Sequence, residues 1–456
     1  MKNLTIENMT KACRGTYHGS DSLLGREAAH VVIDSRRAGR DDVFVAIKGE
    51  RVDGHSFIPS VMDAGALCAV SEQDLGETSF PYIQVESTAQ ALLDIAKLYR
   101  DSFDVKVVGI SGSVGKTSTK EMIASVLSQR YSVLKTEGNF NNEIGLPLTV
   151  FNIREEHEVA VLEMGISDFG EMSRLAKIAR PDICVITNIG VAHMETLGSR
   201  DGILKAKTEM FDYMDPKGTI ILNGDDDKLR GFVPENGIAP VYFGLDESCP
   251  YHAAKTVCRG LRGTDAQFVT PRSSFSAHIS IPGSHMVYNA LAGIAVGYAL
   301  GMTDEEIARG IEANVPIAGR NHLIDGAHYT IIDDCYNANP ASMKSSLDVL
   351  ACADTRTAAI LGDMFELGDR EKQMHYEVGV HAAEAGIDVL VCIGALSTET
   401  ARGAREASSG AMDVRHYPSK AKFFEEMSEV LNEGDTILVK ASHGMEFPEI
   451  VEHLQK

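Results

Sequence analysis

The segment VVGISGSVGKTSTKEM, Val107 to Met122, carries the most explicit chemistry in the chain. An apolar run ends in small residues, Gly-Lys-Thr follows, and a helix-like pattern begins. Gly112 and Gly115 allow a tight turn in which successive backbone N–H groups face inward, toward an anion. Across Ser111, Gly112, Ser113, Val114, Gly115, Lys116 and Thr117, the lysine can reach the outer phosphates of a nucleotide and the threonine hydroxyl can meet Mg2+. The helix that follows directs its positive end at the same point. The usual spacing, Gly-x-x-x-x-Gly-Lys-[Ser/Thr], would put a glycine at Ile110. Its absence predicts a shortened loop that keeps the lysine and the hydroxyl. Two further residues follow strand-like runs: Glu163 ends EVAVLEMG, and His193 follows ICVITNIGVA. A carboxylate is a natural ligand for Mg2+, whereas an imidazole suggests a second, differently placed ion. Alone, Glu163 reads equally well as a capping residue, and His193 reads more often as a structural histidine. Their shared place after strands of one block makes both candidates.

Positioning such groups requires several strands that end at one edge. To about Phe103 the chain mixes short strand-like runs (AHVVID, DVFVAI) with DGHSFIPSVMDAGA, a turn and then a helix. The amphipathic helix STAQALLDIAKLYRDSF closes this block. From VKVVGI onward, apolar strands alternate with helical segments: EVAVLEMG, DICVITNIG and GTIILNGDDD each read as a buried parallel strand with a polar end. The pattern resets near NVPIAGR and repeats with YTIIDDCYNANP, TAAILGDM, DVLVCIG and DTILVKASHG. Such alternation predicts open α/β sheets, with ligands gathered at the carboxyl ends of strands. The expected fold is therefore α/β in three domains. A small mixed N-terminal domain (1–103) precedes a central P-loop-type domain (104–317) and a C-terminal Rossmann-like domain (318–456).

Bulk properties narrow the function. A formal charge of −22 over 456 residues argues against nucleic acid or an anionic membrane as the main partner. The eight cysteines include no C-x-x-C pair, which fits reduced thiols and a cytoplasmic location. The opening MKNLTIENMT has no apolar signal-like core, and the longest nearly apolar stretch, Ala290 to Met302, is too short to span a bilayer.

Taken together, GSVGKTS, Glu163 and His193 resemble the Mur ligases, ATP-dependent enzymes that build the peptide stem of bacterial peptidoglycan. The resemblance implies that Thr117, Glu163 and His193 serve two Mg2+ ions and that Lys116 and His193 belong to the catalytic centre. Fourteen residues after the histidine the family has a lysine carrying CO2 as a carbamate. That spacing selects Lys207 in KAKTEM over the neighbouring Lys205. The same resemblance assigns Asn289 in HMVYNALAG to the adenine side, Arg320 in GRNHLI to the phosphate end and Asp334 in TIIDD to the ribose.

Two segments select a branch of the family. Asp34 to Phe57, DSRRAGRDDVFVAIKGERVDGHSF, is similar to the module that binds the UDP-linked substrate, which implicates Ser35 and Arg36. DDCYNANPASM followed by LGDMFELG resembles the branch that adds D-alanyl-D-alanine, and places Tyr336, Asn337 and Asn339 near that dipeptide or the tripeptide it joins. The implied substrates are ATP, UDP-N-acetylmuramoyl-tripeptide and D-alanyl-D-alanine, handled by a monomer through an acyl phosphate. One departure stands near the C-terminus: where the family often has Lys-Gly-Ser-Arg, this chain has KASHG, with His443 in place of the arginine. Two rivals share the loop. An amide ligase of other specificity fits the Asp34–Phe57 and YNANP segments poorly, and a P-loop ATPase driving a protein partner needs no UDP-sugar module.

Overall fold

A computed structural model describes residues 1–456 except Glu50, Arg51 and Ala192; the first two fall inside the Asp34–Phe57 segment and the third directly precedes His193. The chain forms three sheets. In the first, strands Thr16–His18, Tyr82–Gln84, Cys68–Ser71, Val43–Val45 and Val31–Val32 lie in that order, parallel apart from Thr16–His18 at one edge. The stretch read as turn then helix is a short 3-10 turn, Gly54–Phe57, running into helix Ile58–Asp63.

Helix Thr88–Arg100 ties this unit to the next. Ser87 caps it by accepting from the Gln90 N–H, and apolar residues at helical spacing bury Leu92, Ile95, Ala96 and Tyr99. These pack into one core with Val150, Phe151 and Ile178 of the central unit. The Tyr99 hydroxyl donates to the Ile153 carbonyl at 2.8 Å, and the Arg100 guanidinium donates to the Ala179 carbonyl at 3.2 Å.

The central sheet has nine strands, ordered Ser274–Ile279, Thr264–Val269, Tyr251–Cys258, Val241–Gly244, Thr219–Asn223, Ile183–Ile186, Lys106–Ser111, Val159–Glu163 and Val133–Lys135. The strands anticipated from the apolar runs all occur and pair in parallel. The antiparallel end, Tyr251 to Ile279, is not anticipated by the strand–helix alternation. Strands Thr264–Val269 and Ser274–Ile279 interleave buried with more exposed residues, Tyr251–Cys258 has no fully buried residue, and short turns join them, one through Gly260 and Gly263, whose positive φ (65° and 94°) suits glycine. Strand Lys106–Ser111 has Val159–Glu163 on one side and Ile183–Ile186 on the other, although both follow it in the chain. Connections from its carboxyl end therefore part in opposite directions, and a crevice opens there.

The third sheet orders His322–Asp325, Thr330–Asp333, Thr436–Lys440, Thr357–Gly362, Val389–Ile393 and Asp413–Tyr417, parallel except for the first. Its carboxyl edge faces the crevice of the central sheet. Among the described residues no helix is long and apolar enough to cross a membrane.

Candidate active site

The loop after strand Lys106–Ser111 is held from one side by residues 187–190. The Val114 N–H donates to Asn188 Oδ1 at 3.0 Å, while Thr187 Oγ1 and Asn188 Nδ2 both donate to the Val114 carbonyl. The Gly190 N–H donates to Ser113 Oγ at 2.8 Å, and Ser111 Oγ donates to the Met164 carbonyl at 2.9 Å. Gly115, at φ 81°, leads into helix Lys116–Leu127 without a side-chain cap, so the first N–H groups of the helix stay open to a ligand. Lys116 Nζ folds back onto the Gly112 carbonyl at 2.9 Å, and partial burial lowers its pKa. The buried Thr117 hydroxyl makes no hydrogen bond among the described residues.

Gly112 admits no side chain. Its φ is 149°, and a Cβ there would lie 1.9 Å from Thr187 Oγ1, an oxygen already committed to the loop. Gly112→Ala is expected to strain the turn by about 1–3 kcal/mol and to displace the loop. Thermal unfolding and calorimetric ATP titration should show both a lower Tm and a weakened affinity; unchanged values for both would contradict this loop geometry.

Glu163, at the end of the neighbouring strand, is 2% exposed. Its Oε1 accepts from Asn141 Nδ2 at 2.7 Å, while Oε2 is buried without any partner among the described residues. A bare buried carboxylate oxygen is costly unless something positive meets it. With the unengaged Thr117 hydroxyl, it offers the hard oxygen donors that Mg2+ takes. Among the described residues no cluster of three or more His, Cys, Asp or Glu side chains could hold an ion alone. Oxygens from a bound nucleotide would have to complete the shell.

These groups open into a cavity of about 630 Å³ between the central and C-terminal units. Residues Ser113 to Thr119, Asn141, Glu163 and Asn188 form one wall, and Arg320, Asp334, Tyr336, Asn337, Asn339 and Lys440 another, with His285 and Asn289 beside them. Asn289 Oδ1 accepts from Thr119 Oγ1 at 2.9 Å. The Arg320 guanidinium lies 4.0 Å from the centroid of the Tyr336 ring and has no carboxylate partner among the described residues, so its N–H donors remain available to an anion. Asp334 is more heavily engaged than a ribose ligand need be. Its Oδ2 accepts from Ser346 Oγ at 2.6 Å and Lys440 Nζ at 2.5 Å, and its Oδ1 accepts from the Asn321 N–H at 3.1 Å. Of about four lone-pair directions on the carboxylate, roughly one stays open. Asn339 caps helix Pro340–Leu350 through Ser342, which commits its side-chain oxygen. Asn337 Oδ1 accepts from the Ala338 N–H and, at 3.4 Å, from the N–H of exposed His443, whose ring centroid is 6.0 Å from that of Tyr336.

His193 and Lys207 are not among the residues that line the cavity. His193 has φ 61° and precedes the short helix Met194–Leu197. Burial, then the ammonium groups of Lys207 and Lys116, hold its imidazole below the usual histidine pKa, so the three groups share one electrostatic neighbourhood. Lys207 is 1% exposed and forms no ion pair or side-chain hydrogen bond among the described residues. Burial, reinforced by the charge of Lys116, pushes its pKa well below the ordinary lysine value. Lys205, two residues earlier, is exposed. Ser35 and Arg36 lie on the first unit and do not line the cavity. There Asp34 caps the turn Ser35–Arg37, and the Arg36 guanidinium lies across its carboxylate, which is held down to about 2.

Several residues here were not singled out from the sequence. Asn141 aims Glu163, Asn188 clamps the loop, and Lys440 neutralises Asp334. Asn141 sits in the Asn-rich run GNFNNE, and Asn188 and Lys440 each follow an apolar strand, the position that already marked Glu163.

Fold and site together define an ATP-dependent ligase of the three-unit kind, and the comparisons agree. Residues 27–100 match the Mur ligase family catalytic domain, 110–297 the Mur ligase middle domain, and 319–443 the Mur ligase glutamate ligase domain. The chain belongs to the Mur ligase family. It is 36% identical to the UDP-N-acetylmuramoyl-tripeptide–D-alanyl-D-alanine ligase of Bacillus subtilis, covering 99% of this chain and 98% of that one. It is 32% identical to the enzyme of the same name from Escherichia coli, over 100% and 99%. A crystal structure of MurF from Acinetobacter baumannii superposes with a TM-score of 0.90 at 31% identity, over 99% and 98% of the two chains. MurF ligase from Thermotoga maritima, in complex with ADP, superposes at 0.84 with 29% identity, over 93% and 97%.

Proposed function

We infer that the chain joins D-alanyl-D-alanine to UDP-N-acetylmuramoyl-tripeptide at the expense of ATP, in the cytoplasm. The observation that carries this is the facing of two walls across one cavity: on the central unit a phosphate loop with a Glu163 oxygen, and on the C-terminal unit Arg320, both without a partner among the described residues. Full-length relatives that bear this activity in their names support the choice of substrates.

Amide formation from a carboxylate and an amine is uphill in water, so the tripeptide's terminal carboxylate first takes the γ-phosphoryl group of ATP. The amine of D-alanyl-D-alanine then attacks the acyl phosphate, and inorganic phosphate leaves. Phosphoryl transfer asks mainly for position and charge neutralisation. On this reading the backbone N–H groups of Ser113 to Lys116 cradle the phosphates, Lys116 and Arg320 oppose their charge, and Asn289 and Asp334 border the nucleoside. Tyr336, Asn337 and Asn339 border the reacting carboxylate and amine. Two Mg2+ ions, when bound, neutralise the phosphate oxygens; Thr117, Glu163, His193 and a carbamate on Lys207 would hold them. Only a neutral amine adds CO2, and the burial that lowers the Lys207 pKa well below the ordinary lysine value favours that form. Closure of the two walls excludes water from the acyl phosphate.

The reading is tested by phosphate release from ATP with UDP-N-acetylmuramoyl-tripeptide, with and without D-alanyl-D-alanine. Sustained release is expected only when both are present, and release indifferent to them would contradict it. A narrower test addresses the first unit. Because Ser35 and Arg36 lie outside the cavity, Ser35→Ala or Arg36→Ala should weaken UDP-substrate binding by about tenfold, the scale of one charge-assisted hydrogen bond, and leave ATP binding unchanged. Separate calorimetric titrations check this; equal loss of both affinities would contradict the division of labour.

A further inference from the structure

The central and C-terminal units meet again away from the cavity. Cys258 ends strand Tyr251–Cys258 of the nine-stranded sheet. In the turn that follows, Leu261 packs against the apolar core of the C-terminal unit, and a Cβ at Gly260 would lie 3.0 Å from the Cys352 carbonyl oxygen. Cys352 comes just after helix Pro340–Leu350, and its thiol contacts the Asp348 carbonyl at 3.2 Å. The two sulfurs, 94 positions apart in sequence, are 4.0 Å apart in space. Of the eight free cysteines Cys258 is the exposed one, Cys352 and the distant Cys13 are partly accessible, and Cys68, Cys184, Cys249, Cys335 and Cys392 are buried.

We propose that Cys258 and Cys352 form a reversible disulfide that tethers the C-terminal unit to the central sheet and slows turnover. The bond needs the sulfurs to approach by about 2 Å, within reach of side-chain rotation at two surface positions. The oxidant is a low-molecular-weight disulfide. The exposed Cys258 thiolate attacks one of its sulfurs, forming a mixed disulfide and releasing one small thiol. Cys352 then gives its proton to solvent, and its thiolate attacks the Cys258 sulfur, expelling the second small thiol. Two protein thiols are thereby oxidised, and one small disulfide is reduced to two thiols. Burial, the neighbouring Cys258 and Asp348 raise the Cys352 pKa, which leaves the exposed Cys258 as the first thiol to attack.

The tether acts through helix Pro340–Leu350. Ser342, Ser345 and Ser346, in its first two turns, line the cavity, and Cys352 follows its end, about 9–15 Å further along the axis. Fixing that end to the central sheet fixes the wall that must close and reopen in each cycle. This step rests on the reading of the cavity as a nucleotide site between moving units.

The test treats the full-length reduced protein with oxidised glutathione. The expected results are loss of two thiols, a peptide linking Cys258 to Cys352 by mass spectrometry, and a fall in ATP turnover of roughly tenfold or more that dithiothreitol reverses. Cys258→Ser and Cys352→Ser should turn over like the reduced parent and resist the oxidant. Two glutathionylated or unreacted cysteines with no linked peptide would overturn the proposal, as would a linked protein with full turnover. Reduced protein without any ligase turnover would instead sink the functional reading, while the linked peptide still decides whether the bond forms.

Discussion

Lys116→Ala is expected to leave a folded protein whose ligation rate has fallen by a factor of about 10²–10³, the cost of removing one preorganised charge from a developing transition state. Among the described residues three Lys or Arg side chains line the cavity: Lys116, Arg320 and Lys440. Lys440 is committed to Asp334 at 2.5 Å, so it brings little free charge. Arg320 approaches from the opposite wall. Lys116 alone rises from the phosphate loop, with its Nζ resting on the Gly112 carbonyl until a stronger acceptor arrives. Because that contact is local and the side chain is only partly buried, the fold should survive its loss. Circular dichroism and phosphate release, measured on the same preparation, check both halves. Near-parental turnover by the folded variant would remove the loop from the reaction.

Lys207→Ala should be nearly inactive, whereas Lys205→Ala should keep most of its activity. A buried ammonium without a counter-ion is an expensive way to stabilise a fold, and beside Mg2+ it would be repelled. As a carbamate the same side chain becomes an anion, which the cations around the phosphate site would attract. Short-chain carboxylic acids added to the alanine variant should therefore restore part of the activity by placing a carboxylate in the vacated space. Rate against added acid is the measurement. Full activity in the Lys207 variant, or loss confined to Lys205→Ala, would contradict the assignment.

What could be read from the chain divides along a physical line. Strands buried on both faces are continuous apolar runs, so Lys106–Ser111, Val159–Glu163, Ile183–Ile186 and Thr219–Asn223 were visible as text. The phosphate loop was visible because its chemistry depends on neighbours in sequence. The antiparallel strands from Tyr251 to Ile279 were not, since half-exposed strands lack that continuous signal. Pairings between distant residues were also hidden. Lys440 meets Asp334 across 106 positions and Cys352 meets Cys258 across 94, and no local pattern encodes either. Lys205 and Lys207 show how the two kinds of information combine. Spacing from His193 favours the second, and residues two apart on a helix face different ways. Only the packed structure says which face is buried.

The most direct test of the central claim follows an oxygen atom. UDP-N-acetylmuramoyl-tripeptide carrying oxygen-18 in its terminal carboxylate is incubated with ATP, Mg2+ and D-alanyl-D-alanine, and the products are weighed by mass spectrometry. Activation as an acyl phosphate predicts that each amide formed is matched by one inorganic phosphate containing a single labelled oxygen. Unlabelled phosphate, or phosphate released without formation of the pentapeptide product, would contradict it.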